Sequence, residues 1–188
     1  MGSFAVENGP QSAVSRRHIL IFVTVGSSQY GFQRLVEKVD EIAPSLPLKV
    51  MVQSGCTGYV PRSVEWAAFL TYEEMMRKMA EATLIIGHAS AGPILHSRKF
   101  KVPLIVVPRR PELKEHLDGH QVETGQAIAN LPFIDVVWDV ADLRNSILSI
   151  LENPACLTVG RKPIQQVDEL IKVIREFVND HSGLPTPA

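Results

Sequence analysis

The densest set of chemistry-bearing side chains lies between Pro108 and Gln121, where Arg109, Arg110, Glu115, His116, Asp118, His120 and Gln121 crowd together. Arginine forks bind phosphates and carboxylates in bidentate fashion, and a neighbouring glutamine can hydrogen-bond sugar hydroxyls. The spacing of Glu115, His116, Asp118 and His120 fits no helix-based metal motif, so no metal is expected. A solvated charged loop is the plain alternative. Two other stretches suit an anion. Val25-Gly26-Ser27-Ser28 follows an apolar run, and its glycine would let backbone amides approach a phosphate while the serines donate hydrogen bonds. Gly87-His88-Ala89-Ser90-Ala91-Gly92-Pro93 joins another apolar run to a helix start, whose open N–H groups and dipole favour a pyrophosphate. Taken singly, the first also reads as a tight strand-to-helix turn and the second as close packing around a core histidine. Neither is G-x-G-x-x-G nor a P-loop, and Ser90 lacks the G-x-S-x-G setting of a hydrolase nucleophile.

The elements around these stretches alternate in period. Ile19–Val25, Leu48–Val52, Trp66–Leu70, Thr83–Gly87, Val102–Val107 and Phe133–Trp138 read as strands, several of them apolar without alternation, as in a parallel sheet buried on both faces. Phe32, Leu35, Val36, Val39 and Ile42 share a helical face. Thr71 with Glu74 has the form of a capping box. Further helices are expected over Pro93–Lys99, Gly119–Asn130 and Ala141–Leu151. This alternation predicts an α/β fold with one doubly wound, Rossmann-like parallel sheet over residues 18–152. In such sheets ligands bind outside the carboxyl ends of the strands, which is where all three stretches fall. Residues 1–17 read as a flexible arm, 153–162 as a linker, 163–180 as an amphipathic helix and 181–188 as a tail.

Composition narrows the function. The chain has 188 residues, 45% of them hydrophobic and 21% charged, so wholesale disorder is excluded. Nineteen Lys and Arg against 20 Asp and Glu leave a net charge of −1, without the basic excess of a nucleic-acid-coating protein. Two cysteines 100 positions apart, Cys56 and Cys156, make neither a disulfide framework nor a zinc pattern. No apolar run is long enough to span a bilayer. The expectation is a soluble, cytoplasmic protein.

The order and placement of Val23-Thr24-Val25-Gly26, the His88-Ala89 turn, and Val107-Pro108-Arg109-Arg110 with Glu115-His116 and His120-Gln121 resemble the donor-binding half of family-28-type glycosyltransferases. The likeness runs from about Ile19 to Leu151. It is nearest the soluble subunit of two-component enzymes, in the bacterial exopolysaccharide branch and the eukaryotic N-glycan UDP-GlcNAc transferase. Against the family's pattern, Ser90 stands where a second glycine is usual, Pro93 where Ser or Thr is usual, and His96 near a position that is often acidic.

The resemblance implies the C-terminal half of a GT-B fold and a UDP-sugar donor. Gly26, Ser27 and Ser28 would lie near the phosphates. Phe69, Leu70 and Thr71 would border the uracil, with Met75 behind. His88, Ala89, Ser90, Ala91 and Gly92 would cradle the pyrophosphate, while Arg109, Arg110, Glu115, His120 and Gln121 would face ribose, phosphate and sugar. Transfer would be inverting and would need no cofactor. Arg109 or Arg110 would stabilise the departing UDP, and His88 or His120 would serve as base only if no partner supplies one. The acceptor, a lipid-linked saccharide, would be held by a membrane-anchored partner subunit, placing this chain peripherally at the inner membrane. The stripe Ile164, Val167, Leu170, Ile171, Ile174 and Phe177 either packs on its own sheet or docks on that partner. The alternatives are a non-catalytic nucleotide-sugar-binding or scaffolding subunit, and an α/β protein, such as a hydrolase, using the same pocket for a different phosphorylated ligand.

Overall fold

The computed structural model describes residues 20–153. The arm, most of the linker, the amphipathic stripe and the tail lie outside them. Six strands form one all-parallel sheet: β1 (Leu20–Thr24), β2 (Lys49–Gln53), β3 (Glu65–Ala67), β4 (Leu84–Gly87), β5 (Leu104–Val106) and β6 (Ile134–Val136). Their spatial order is β3-β2-β1-β4-β5-β6. Five helices connect and flank them: α1 (Gln33–Ile42), α2 (Tyr72–Glu81), α3 (Ala91–Phe100), α4 (His120–Ile128) and α5 (Leu143–Glu152).

The doubly wound expectation holds because strand residues split alternately between two cores. Ile21, Val23 and Val25 face a cluster with Leu35, Val36 and Val39 of α1 and Leu143, Ile147 and Ile150 of α5. Phe22, Ile85 and Leu104 face the opposite cluster with Met79 of α2, Ile94 of α3 and Ile128 of α4. Both faces of the sheet are therefore covered, which accounts for the continuous apolar runs.

Several boundaries shift by one to three residues from expectation, and two of the shifts have a clear physical reason. The third strand stops at Ala67, not Leu70, because it is an edge strand whose last carbonyls turn inward: Ser54 N–H donates to Ala67 O at 3.0 Å and Gly55 N–H to Ala68 O at 2.8 Å. Helix α3 begins at Ala91 rather than Pro93. Proline in a first turn loses only an N–H that has no intrahelical acceptor. The Thr71–Glu74 capping box forms as expected, with Glu74 N–H donating to Thr71 Oγ1 and Thr71 N–H to the Glu74 carboxylate.

Candidate functional site

Strand order reverses between β1 and β4, so the chain leaves these two neighbours in opposite directions and opens a crevice at their carboxyl ends. Three loops meet there. The turn after β1 passes through Gly26 at φ +76°, where a side chain would be strained, and a Cβ would lie 2.8 Å from His88 Cε1. Gln53, at the end of β2, holds this turn from one side. Its Nε2 donates to Gly26 O at 3.0 Å and Ala68 O at 2.8 Å, and its Oε1 accepts from Gly26 N–H at 3.1 Å and the Thr24 hydroxyl at 2.7 Å. Gly55 (φ +55°) fits beneath, since a Cβ there would meet Gly26 O at 2.8 Å.

After β4, Gly87 lets Pro93 pack close, with a Cβ position only 3.0 Å from the proline ring. Ser90 sits at the N-cap of α3 but does not cap it. Its hydroxyl instead pairs with His88 Nε2 at 2.9 Å. No side chain caps the helix start, and Ala91 and Gly92 are exposed there, so this end is available to an anion.

Burial, with a smaller contribution from the Arg109 charge, pulls the His88 imidazole down to about 4, against the pull of the Thr24 carbonyl. His88 is neutral at pH 7. Its Nδ1 is buried without a well-formed hydrogen bond. Between the folded value and the ordinary 6.5, the unfolded chain carries a proton that the fold excludes. Stability should therefore rise with pH across this window, and as pH falls from about 6.5 to about 4 it should drop by roughly 3 kcal/mol. Urea titrations at about pH 7 and about pH 4.5 should show that loss in the native chain and a much flatter response in His88→Asn. Equal pH slopes in both would show that His88 does not carry it.

The loop after β5 corrects the sequence expectation most. Arg109 does not face the crevice: it is 0% exposed. Its Nη2 donates to Val25 O at 2.8 Å, its Nη1 is shared among the carbonyls of Tyr30, Gly31 and Glu115 at 2.9–3.0 Å, and its guanidinium lies over the Phe32 ring. Glu115 is likewise buried, 4% exposed, and clamps Arg34 in a bidentate pair with both N···O distances 2.9 Å. Gln121 Oε1 accepts from the Arg109 backbone N–H at 3.1 Å. These three side chains build the loop and do not line its surface.

Arg110 remains half-buried at the rim and donates to Trp138 O. His120 opens α4, its N–H donating to Asp118 Oδ1 at 3.2 Å. Ser27 is exposed, whereas Ser28 accepts from Tyr30 N–H. Phe69 is 56% exposed, Leu70 packs into the second core with Met75, and the Thr71 hydroxyl is engaged by its cap. His96 Nδ1 pairs with Gly92 O at 2.7 Å. Among the described residues no group of His, Cys, Asp and Glu could hold a metal ion.

The glycosyltransferase family 28 C-terminal domain matches residues 20–174, most of the chain and the whole of this sheet. The chain belongs to that family. The crevice lies within the residues that match this C-terminal domain. Solved structures share the fold at low identity. The glycotransferase of kitacinnamycin is 16% identical with a TM-score of 0.58, covering 94% of this chain and 44% of that one. The calicheamicin glycosyltransferase CalG4 is 16% identical, TM-score 0.57, covering 86% and 39%. The spinosyn rhamnosyltransferase SpnG, complexed with thymidine diphosphate, is 12% identical, TM-score 0.55, covering 89% and 43%. This chain thus spans about two-fifths of the length of these enzymes. No protein of curated function matches it significantly in sequence. No helix among the described residues of this family 28 domain is long and apolar enough to cross a membrane.

Sequence reasoning missed Gln53, Gly55 and Arg34. Gln53 had a signal, being the one polar side chain closing the apolar run Val50-Met51-Val52. Arg34 had none, because a cation on the polar side of an amphipathic helix is ordinary.

Proposed function

We propose that this domain binds a UDP-sugar and supplies the donor half of an inverting glycosyltransferase acting on a lipid-linked saccharide, with a membrane-anchored partner contributing the acceptor half. The observation that carries the reading is the uncapped start of α3 facing the Gly26 turn across the sheet's reversal point, in a chain of family 28. The diphosphate rests on the amides of Ala91 and Gly92 and on the Gly26-Ser27 turn. Phe69 offers its exposed face to the uracil, and Arg110 and His120 stand at the sugar side.

In the reaction an acceptor hydroxyl attacks the anomeric carbon while the bond to the UDP oxygen breaks. The leaving electron pair passes to the diphosphate, where helix N–H groups and Arg110 stabilise it. The hydroxyl proton passes to a base on the partner. His88, neutral and occupied with Ser90, orients the cradle instead.

Calorimetry with UDP, UDP-glucuronic acid and UDP-GlcNAc tests the reading. The expected result is micromolar-to-millimolar UDP binding that EDTA leaves unchanged, with the ranking of the sugars naming the donor. Failure of both the chain and its complex with the second half to bind UDP would remove the reading. Binding without turnover in that complex would favour a scaffolding subunit.

A further inference from the structure

We propose that Arg109 is a positioning residue that fixes the Val25–Gly31 turn from behind and, by its buried charge, favours an anion on the turn's outer side without touching it. This rests on the reading that the turn holds a diphosphate. One guanidinium grips both ends of the turn, Val25 O at one end and Tyr30 O and Gly31 O at the other, with Ser27 and Gln29 exposed between them. Through Glu115 O it ties the turn to the loop that follows β5. Gln53 grips Gly26 from the other side.

The charge itself is the feature a scaffold does not explain. Carbonyl groups could be bridged by a neutral donor, whereas a buried cation without its own counter-ion is costly. Among the described residues the carboxylate whose charge acts on Arg109 is Glu115, but both its oxygens are engaged by Arg34 and one also accepts from Arg110 N–H. Arg109 receives only that residue's backbone oxygen. Its Nε is buried with no acceptor among the described residues. Arg34, Arg109 and Glu115 together carry one positive charge in excess, set directly beneath the turn. A diphosphate above supplies the missing countercharge.

The test compares UDP with uridine on the 188-residue chain and on its Arg109→Met and Arg109→Lys variants. The methionine variant is expected to lose roughly ten- to fiftyfold in UDP affinity, from the Coulomb attraction of one partly buried charge, while uridine binding changes by less than about threefold. The lysine variant keeps the charge but not the four-carbonyl grip, and should fall between native and methionine. Equal losses for UDP and uridine would mean that Arg109 only holds the fold, and an unchanged UDP affinity would overturn the proposal. Should the methionine variant fail to fold, the lysine variant decides on the same UDP-to-uridine comparison. Hydrogen exchange gives a ligand-free readout. Amides 26–31 should exchange faster in Arg109→Lys while β1 and β4 stay protected, and unchanged protection at 26–31 would overturn the grip. Should neither the native chain nor its complex with the second half bind UDP, the donor reading fails, and exchange alone judges Arg109.

Discussion

Gln53→Leu should cost the domain about 3–5 kcal/mol in urea denaturation and remove measurable UDP binding. The side chain is 1% exposed and makes four hydrogen bonds, to the Thr24 hydroxyl, both backbone groups of Gly26, and Ala68 O. Leucine fills similar space and satisfies none of them. Each buried group left without a partner costs about 1–3 kcal/mol. The Gly26 N–H retains a weak 3.3 Å contact with Thr24 Oγ1, which keeps the expected total below the sum. Thr24→Val is the control: it removes one donor to the same amide side chain and should cost about 1 kcal/mol. If the leucine variant loses less than Thr24→Val, Gln53 is not what holds the Gly26 turn.

Glu115→Ala should be comparably severe, about 3–5 kcal/mol, because it breaks a buried ion pair from the side that leaves cations uncompensated. Arg34 would keep only its bond to Pro108 O and its place over Phe32, and Arg110 N–H would lose its acceptor. Arg109 would then share its pocket with a second unneutralised guanidinium. Arg34→Ala alone should also destabilise, since it strands the buried carboxylate. The double variant should cost clearly less than the two single losses added, the mark of a coupled pair. Because Glu115 is buried, raising salt to about 0.5 M should leave the coupling nearly intact, where an exposed pair would be screened. Strict additivity in the double-mutant cycle would show that the pair does not act as a unit.

The sheet was legible because its evidence is local. Apolar runs of strand length alternate with helical stripes, and each run reports its own burial. The Gly26 turn and the His88–Gly92 stretch stand out in the sequence for a related reason: glycine, small residues and proline announce where backbone is laid bare. The charged loop was not. An arginine in Pro108–Gln121 reads as solvent-facing because most arginines are, and the facts that bury Arg109 are contacts with Val25, Tyr30 and Gly31, far away in the chain. No pattern within the loop encodes them. The same holds for Glu115, whose partner Arg34 sits on α1. Thr71 shows a third case, where a residue expected at the ligand spends its hydroxyl on a helix cap.

The position of β1 in the sheet has a consequence for how the chain is born. Leu20–Thr24 is the first strand to be made among the described residues, yet it ends up central, between β2 and β4. One edge can be covered once residues 49–53 emerge. The other must wait for Leu84–Gly87, about 60 residues later. At synthesis rates of about 5–20 residues per second, that edge stays open for roughly 3–12 s. During that interval Ile21, Phe22 and Val23 form an apolar ribbon with an unpaired edge, on which a neighbouring nascent chain could add a strand. The five-residue length of β1 limits how firmly such a wrong partner could hold. Translation speed over residues 25–84 is thus a determinant of yield for this domain, independent of how stable the finished sheet is.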